Sequence, residues 1–238
     1  MTVCAKDIPL NERIIFALDV ADPETAITLV RQFDDQIRFF KIGLQLFLAG
    51  GWPVVEQIAA RGNKVMLDLK LHDIPATVRL AVAQMADRGV TLATVHGYAP
   101  VVEAAMAADS GIQILAVTVL TSMGEAELAE LHFSGTVEDL VLDRAKKALA
   151  CGCHGLVCSA REARRLRREC GNDFLMVTPG IRPADAAAND QQRIATPGQA
   201  VADGADYLVI GRPIRDAAEP HAAVAAILAE IEQTLSIC

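Results

Sequence analysis

Apolar residues in this chain fall into short continuous runs, separated by stretches where they recur every three or four positions. Ile14-Ile15-Phe16-Ala17-Leu18 is the first such run, and Phe39-Phe40-Lys41-Ile42-Gly43 the second. Further runs occupy residues 64–70, 92–96, 113–120, 155–158, 174–178 and 207–211. Between them, helical spacing predicts helices over 23–33, 52–61, 75–88, 100–108, 125–131, 137–149, 161–168 and 222–235. Asp22 is placed to cap the first helix ahead of Pro23, and Thr196-Pro197 reads as another helix start. Strands that are apolar throughout, rather than at alternate positions, are covered on both faces, which implies a parallel sheet flanked by helices. Eight strand-helix units without a composition break predict one α/β domain over residues 1–238, a single (β/α)8 TIM barrel. A doubly wound open sheet is the competing fold. No Gly-x-Gly-x-x-Gly follows the first run to support it.

The third run departs from the rules of a buried strand. It reads Val65-Met66-Leu67-Asp68-Leu69-Lys70-Leu71-His72-Asp73-Ile74-Pro75-Ala76-Thr77. Asp68 and Lys70, two positions apart, share a face on a regular strand, and Asp73 follows within a turn. Such a concentration of charge at the end of an apolar strand is costly unless the groups pair or perform chemistry. Asp19, Lys41, His96, Thr121, Arg182 and Arg212 also fall at or just beyond strand ends, where the active sites of barrel enzymes form. A purely structural ion pair between Lys41 and Asp68 is the lesser alternative. After Pro179-Gly180-Ile181-Arg182-Pro183 the chain is poor in apolar residues until Ile194, a length that suggests a functional lid. Arg182 and Gly211-Arg212-Pro213 stand after the seventh and eighth strands, the usual phosphate site of a barrel.

Composition narrows the choice of partner. With 52% hydrophobic and 22% charged residues the 238-residue chain has ample core material. A net charge of −8 argues against a nucleic-acid surface, and no apolar run reaches membrane-helix length. No signal-peptide pattern opens the chain, so a cytoplasmic protein is expected. Cys151, Cys153, His154 and Cys158 are a weak zinc candidate, outweighed by the reading of buried or reduced thiols.

Taken jointly, Asp68-x-Lys70-x-x-Asp73-Ile74-Pro75-x-Thr77, Lys41 upstream, Leu120-Thr121-Ser122-Met123, Pro179-Gly180-Ile181-Arg182 and Ile210-Gly211-Arg212-Pro213 closely resemble bacterial orotidine 5'-phosphate decarboxylases. Ala76 stands where many bacterial members carry asparagine. The resemblance implies removal of CO2 from orotidine 5'-monophosphate to give UMP, the final step of de novo pyrimidine nucleotide synthesis, without metal or organic cofactor. Lys70 would stabilise and protonate the C6 carbanion within a Lys41-Asp68-Lys70-Asp73 array. Asp19, Lys41 and Thr77 match ribose positions, while Thr121 and Ser122 match the pyrimidine side. Arg212, Gly211 and Gln191 match the phosphate end, with Arg182 near; Ile74 and Pro179 complete the binding motifs. Asp73 and Thr77 would be supplied across a homodimer. Two alternatives remain: a Mg-dependent sugar-phosphate decarboxylase or aldolase of the same barrel type, and a barrel that binds without catalysis.

Overall fold

The computed structural model describes residues 6–130, 132–183 and 195–237. Within them, eight parallel strands close into a barrel in chain order: β1 (Ile14–Ala17), β2 (Phe39–Gly43), β3 (Lys64–Leu71), β4 (Leu92–His96), β5 (Gln113–Val117), β6 (Gly155–Val157), β7 (Leu175–Thr178) and β8 (Tyr207–Ile210). Ile15 pairs with Phe39 and Ile14 with Leu208, so the first strand joins both its successor and the last. The continuous apolar runs are explained by two separate cores. Ile15, Phe39, Met66, Leu92, Leu115, Val177 and Tyr207 fill the barrel interior. Their neighbours Ile14, Phe16, Phe40, Leu67 and Ile114 face outward against the helices. Phe39 and Tyr207 meet edge to face inside the barrel with ring centroids 5.5 Å apart, as Phe16 and Phe33 do outside it at 5.2 Å.

The helical layer comprises α1 (Pro23–Phe33), α2 (Leu44–Ala60), α3 (Pro75–Ala83), α4 (Ala99–Met106), α5 (Glu125–Glu130), α6 (Val137–Ala150), α7 (Ala160–Cys170), α8 (Pro197–Ala202), α9 (Arg212–Arg215) and α10 (Pro220–Ile237). Asp22 caps α1 by accepting from the Thr25 amide at 2.7 Å, and Thr196 caps α8, both as the sequence predicts. Three boundaries shift from expectation by three residues or more. The second helix begins at Leu44 rather than residue 52, because a break at Gly51 (φ 54°) joins two helical pieces that only a glycine there accommodates readily. The third stops at Ala83 and continues as turns, with Asp87 and Gly89 both at positive φ. Strand β5 ends at Val117 because Thr118 turns aside; its amide and hydroxyl both donate to the Val157 carbonyl. Among the described residues no helix is long and apolar enough to cross a membrane. Residues 184–194 of the segment read as a lid lie outside the described residues.

Candidate active site

The C-terminal mouth of the barrel holds a cavity of about 220 Å³. Its walls are apolar where the barrel core rises into it, at Met66, Val117, Val157 and Val209. Charged side chains gather on one side. Lys41, buried on β2, places its ammonium 2.8 Å from Asp19 Oδ1 and 3.7 Å from Asp68 Oδ2. Lys70 Nζ donates to the same Asp68 oxygen at 2.8 Å. Asp68 is therefore shared between two ammonium groups, while its other oxygen accepts from the Thr94 hydroxyl at 2.9 Å. Burial alone would push the Asp68 carboxyl up, but the Lys41 and Lys70 charges, with hydrogen bonds from Lys70 and Thr94, hold it below its ordinary value. It is a carboxylate at neutral pH.

The convergence of Asp68 and Lys70 is expected from their spacing, but the strand that carries them is not regular. Register between β3 and β4 jumps from Leu67–Ala93 to Leu71–Val95, so Asp68, Leu69 and Lys70 together oppose Thr94 alone. Lys70 sits at φ 49°, a conformation that costs a non-glycine residue about 1–3 kcal/mol. This bulge re-aims the lysine into the mouth. Thr94 was not singled out by sequence reasoning. The available signal was a hydroxyl at an inward position, alternating with Leu92, in an otherwise apolar strand.

The same cavity is lined by Thr121 beyond β5, by Pro179, Gly180 and Arg182 beyond β7, which is four strands from β3 in the closed barrel, and by Gly211 and Arg212 beyond β8. Arg182 is buried, donating from one Nη to the Ile181 carbonyl. Ammonium–carboxylate chemistry thus enters the pocket from β2 and β3, and two guanidinium-bearing residues line it from beyond β7 and β8. Ser122 is not part of the lining, and Gln191 lies outside the described residues.

Asp73, Ile74 and Thr77 are not brought to this cavity. Asp73 accepts from the Ile74 amide at 2.6 Å at the start of α3 and, with Thr77, borders a separate cavity of about 320 Å³. Ile74 is 65% exposed. One chain therefore assembles Lys41, Asp68 and Lys70, with Asp19 as a fourth charge that spacing alone did not pair with Lys41. His96, at the end of β4, stacks on His72 with ring centroids 4.9 Å apart. It borders the site rather than lining the cavity.

The sequence model described as "Orotidine 5'-phosphate decarboxylase / HUMPS family" matches residues 12–227. The chain belongs to this family. That description joins two groups, so the match leaves the reaction to be decided by individual relatives. An orotidine 5'-phosphate decarboxylase from Rhodopseudomonas palustris (strain BisB5) is 51% identical over 225 residues, 94% of this chain and 96% of that protein. The orotidine 5'-phosphate decarboxylase of Afipia carboxidovorans is 52% identical over 223 residues, covering 93% and 95% respectively. Among solved structures, orotidine 5'-phosphate decarboxylase from Lactobacillus acidophilus superposes with a TM-score of 0.82 at 35% identity, over 92% of this chain and 99% of that one.

Among the described residues no group of three or more His, Cys, Asp or Glu side chains is arranged to hold an ion. Cys153, with burial pushing its thiol up to about 11, contacts the Gly155 carbonyl, while His154 Nδ1 accepts from the Ile114 amide. His154 and Cys153 are thus engaged with backbone groups of β5 and β6.

Proposed function

We propose that the chain removes CO2 from orotidine 5'-monophosphate to leave uridine 5'-monophosphate. The observation that carries this reading is the division of charge around one cavity: Lys41, Asp68 and Lys70 on β2 and β3, Arg182 and Arg212 beyond β7 and β8. A nucleotide with a phosphate at one end and a ring carboxylate at the other fits that division. Bidentate or charge-assisted contacts from arginine suit the phosphate. Asp19 and Lys41, joined by a 2.8 Å ion pair on the cavity wall, would contact the ribose.

As the C6–CO2 bond breaks, its electron pair stays on C6 and CO2 leaves. The Lys70 ammonium stabilises the developing negative charge and transfers a proton to C6, then is reprotonated from solvent. Two unit charges at about 4 Å interact by roughly 4 kcal/mol at an effective dielectric near 20. Only the portion that grows as charge moves from the carboxylate to C6 lowers the barrier. Lys70 is already fixed by Asp68 and by its strained backbone, so little reorganisation accompanies the reaction. Phosphate binding energy, spent on closing the site, makes truncated substrates lose turnover as well as affinity.

We further propose a homodimer in which Asp73 and Thr77 reach the partner's site. Their absence from this chain's own cavity supports it, as do the exposed Ile74 and Leu80 nearby in sequence and the exposed Tyr98, whose ring lies 5.8 Å from that of His72. A metal-free reaction fits the placement of Lys41, whose ammonium lies between the Asp19 and Asp68 carboxylates, the position a hard cation would take. The anionic nucleotide substrate suits a cytoplasmic enzyme. Loss of the orotidine ring absorbance on adding purified protein, with and without a chelator, tests the reading. Turnover undiminished by chelator is expected. Turnover abolished by chelator would favour the Mg-dependent sugar-phosphate class, and its absence in both conditions a barrel that only binds.

A further inference from the structure

Thr94 is placed between the two groups on which the proposed reaction depends. It is 1% exposed, on β4, inside the barrel mouth. A threonine hydroxyl has one proton to donate and lone pairs to accept with. Here the proton goes to Asp68 Oδ1 at 2.9 Å, and a lone pair takes the Lys70 amide at 3.0 Å. Each bond has a distinct consequence. Holding Oδ1 leaves Oδ2 turned toward both ammonium groups, at 2.8 Å from Lys70 and 3.7 Å from Lys41. Accepting the Lys70 amide supplies the partner that the interrupted β3–β4 ladder does not, at the residue held at φ 49°.

We propose that Thr94 is a positioning residue for decarboxylation: its hydroxyl fixes both the rotation of the Asp68 carboxylate and the bulge that aims Lys70. The inference rests on the reaction proposed above. Without the hydroxyl, Lys70 is released to relax toward an ordinary strand conformation and Asp68 to rotate, and small displacements of reacting groups have large effects on rate. A merely structural threonine would instead affect how much protein folds, leaving the folded fraction fully active.

Thr94→Val keeps the shape and the β-branching while removing the hydroxyl; Thr94→Ser keeps the hydroxyl. In the full-length protein, Thr94→Val is expected to lower kcat by about 10–100-fold, since misplacement by about 1 Å has effects of that order. KM should change by less than about threefold, because the phosphate and ribose contacts lie on other elements. The acid limb of the kcat profile should move to higher pH in Thr94→Val, since Asp68 loses one bond that favours its charged form while still facing Lys41 and Lys70. Thr94→Ser should restore both rate and profile. Wild-type kcat in Thr94→Val, parallel losses in kcat and KM with no movement of the acid limb, or equal impairment of Thr94→Ser would each overturn the inference. Should Thr94→Val not fold, Thr94→Ala removes the same hydroxyl and is read by the same criteria. No turnover by the wild type would refute the reaction and this inference together. Wild-type turnover alongside an unimpaired Thr94→Val would refute this inference alone.

Discussion

The barrel carries a buried aspartate network at each end, and the two are built to opposite ends. At the N-terminal end, Asp206 Oδ2 accepts from Lys6 at 2.7 Å, from Arg167 at 2.8 Å and from the Met176 amide at 2.8 Å. Every guanidinium nitrogen of Arg167 is engaged, the remainder by the carbonyls of Asn172, Phe174 and Gly204. The guanidinium also lies 4.5 Å from the centre of the Phe174 ring. Backbone carbonyls do not move or exchange, so this cluster is a rivet. At the C-terminal end Asp68 is held by side chains alone, on a bulged strand, and its lysines face an open cavity. A buried ion cluster by itself therefore says little about function. What separates the two is where the remaining bonding capacity points: into the protein at Arg167, into solvent-sized space at Lys70.

Removing one charge from each end should expose that division. Lys70→Ala takes away both a proton donor and a preorganised charge, so kcat should fall by at least about 10⁴-fold. The variant should remain folded, since Lys70 is part-exposed and its partner Asp68 keeps Lys41 and Thr94. Near-UV circular dichroism alongside the absorbance assay checks both halves; equal turnover by the variant would remove the proton-donor assignment. Asp206→Ala is the converse. It strands Arg167 and Lys6, and breaking a buried pair by deleting one partner costs about 3–5 kcal/mol. Urea denaturation should show that loss, with kcat per folded molecule unchanged within about twofold, given the distance of the rivet from the chemistry along the barrel. A large fall in kcat would mean that the two ends are coupled.

Much of this division was legible before the structure. Continuous apolar runs identify strands buried on both faces, and the order of runs and helices implies the closed barrel, because both follow from local burial. Charged residues at strand ends mark the mouth for the same reason: Lys41, Asp68 and Lys70 break runs that are otherwise apolar past their first residue. The rivet was not read, because Lys6, Arg167 and Asp206 are separated by most of the chain and each alone resembles an ordinary surface charge. Thr94 was overlooked because strands tolerate threonine, and only the two-residue slip of register between β3 and β4 gives its hydroxyl two partners. The placement of Asp73 outside the cavity was implied by family resemblance rather than by spacing, which put it with Asp68 and Lys70.

The mouth should also be the end that responds to mild acid. His96 is half-buried against His72, with Arg144 and Lys70 the other charged groups acting on it. Burial first, then repulsion from His72, Arg144 and Lys70, holds its pKa below the ordinary 6.5. The unfolded chain therefore takes up this proton more readily than the folded one, and stability rises with pH across the interval between the folded value and 6.5. The contribution is complete above the unfolded pKa and is lost as pH falls from 6.5 toward the folded value. His96→Gln keeps a polar side chain without the titration, so the difference between urea midpoints at pH 7 and pH 5 should shrink in that variant. The effect should be the smallest of those above, since the ring is only half-buried and solvent screens it. An undiminished difference would mean that the acid response arises elsewhere, and the contrast between a responsive mouth and a static rivet would lose its pH component.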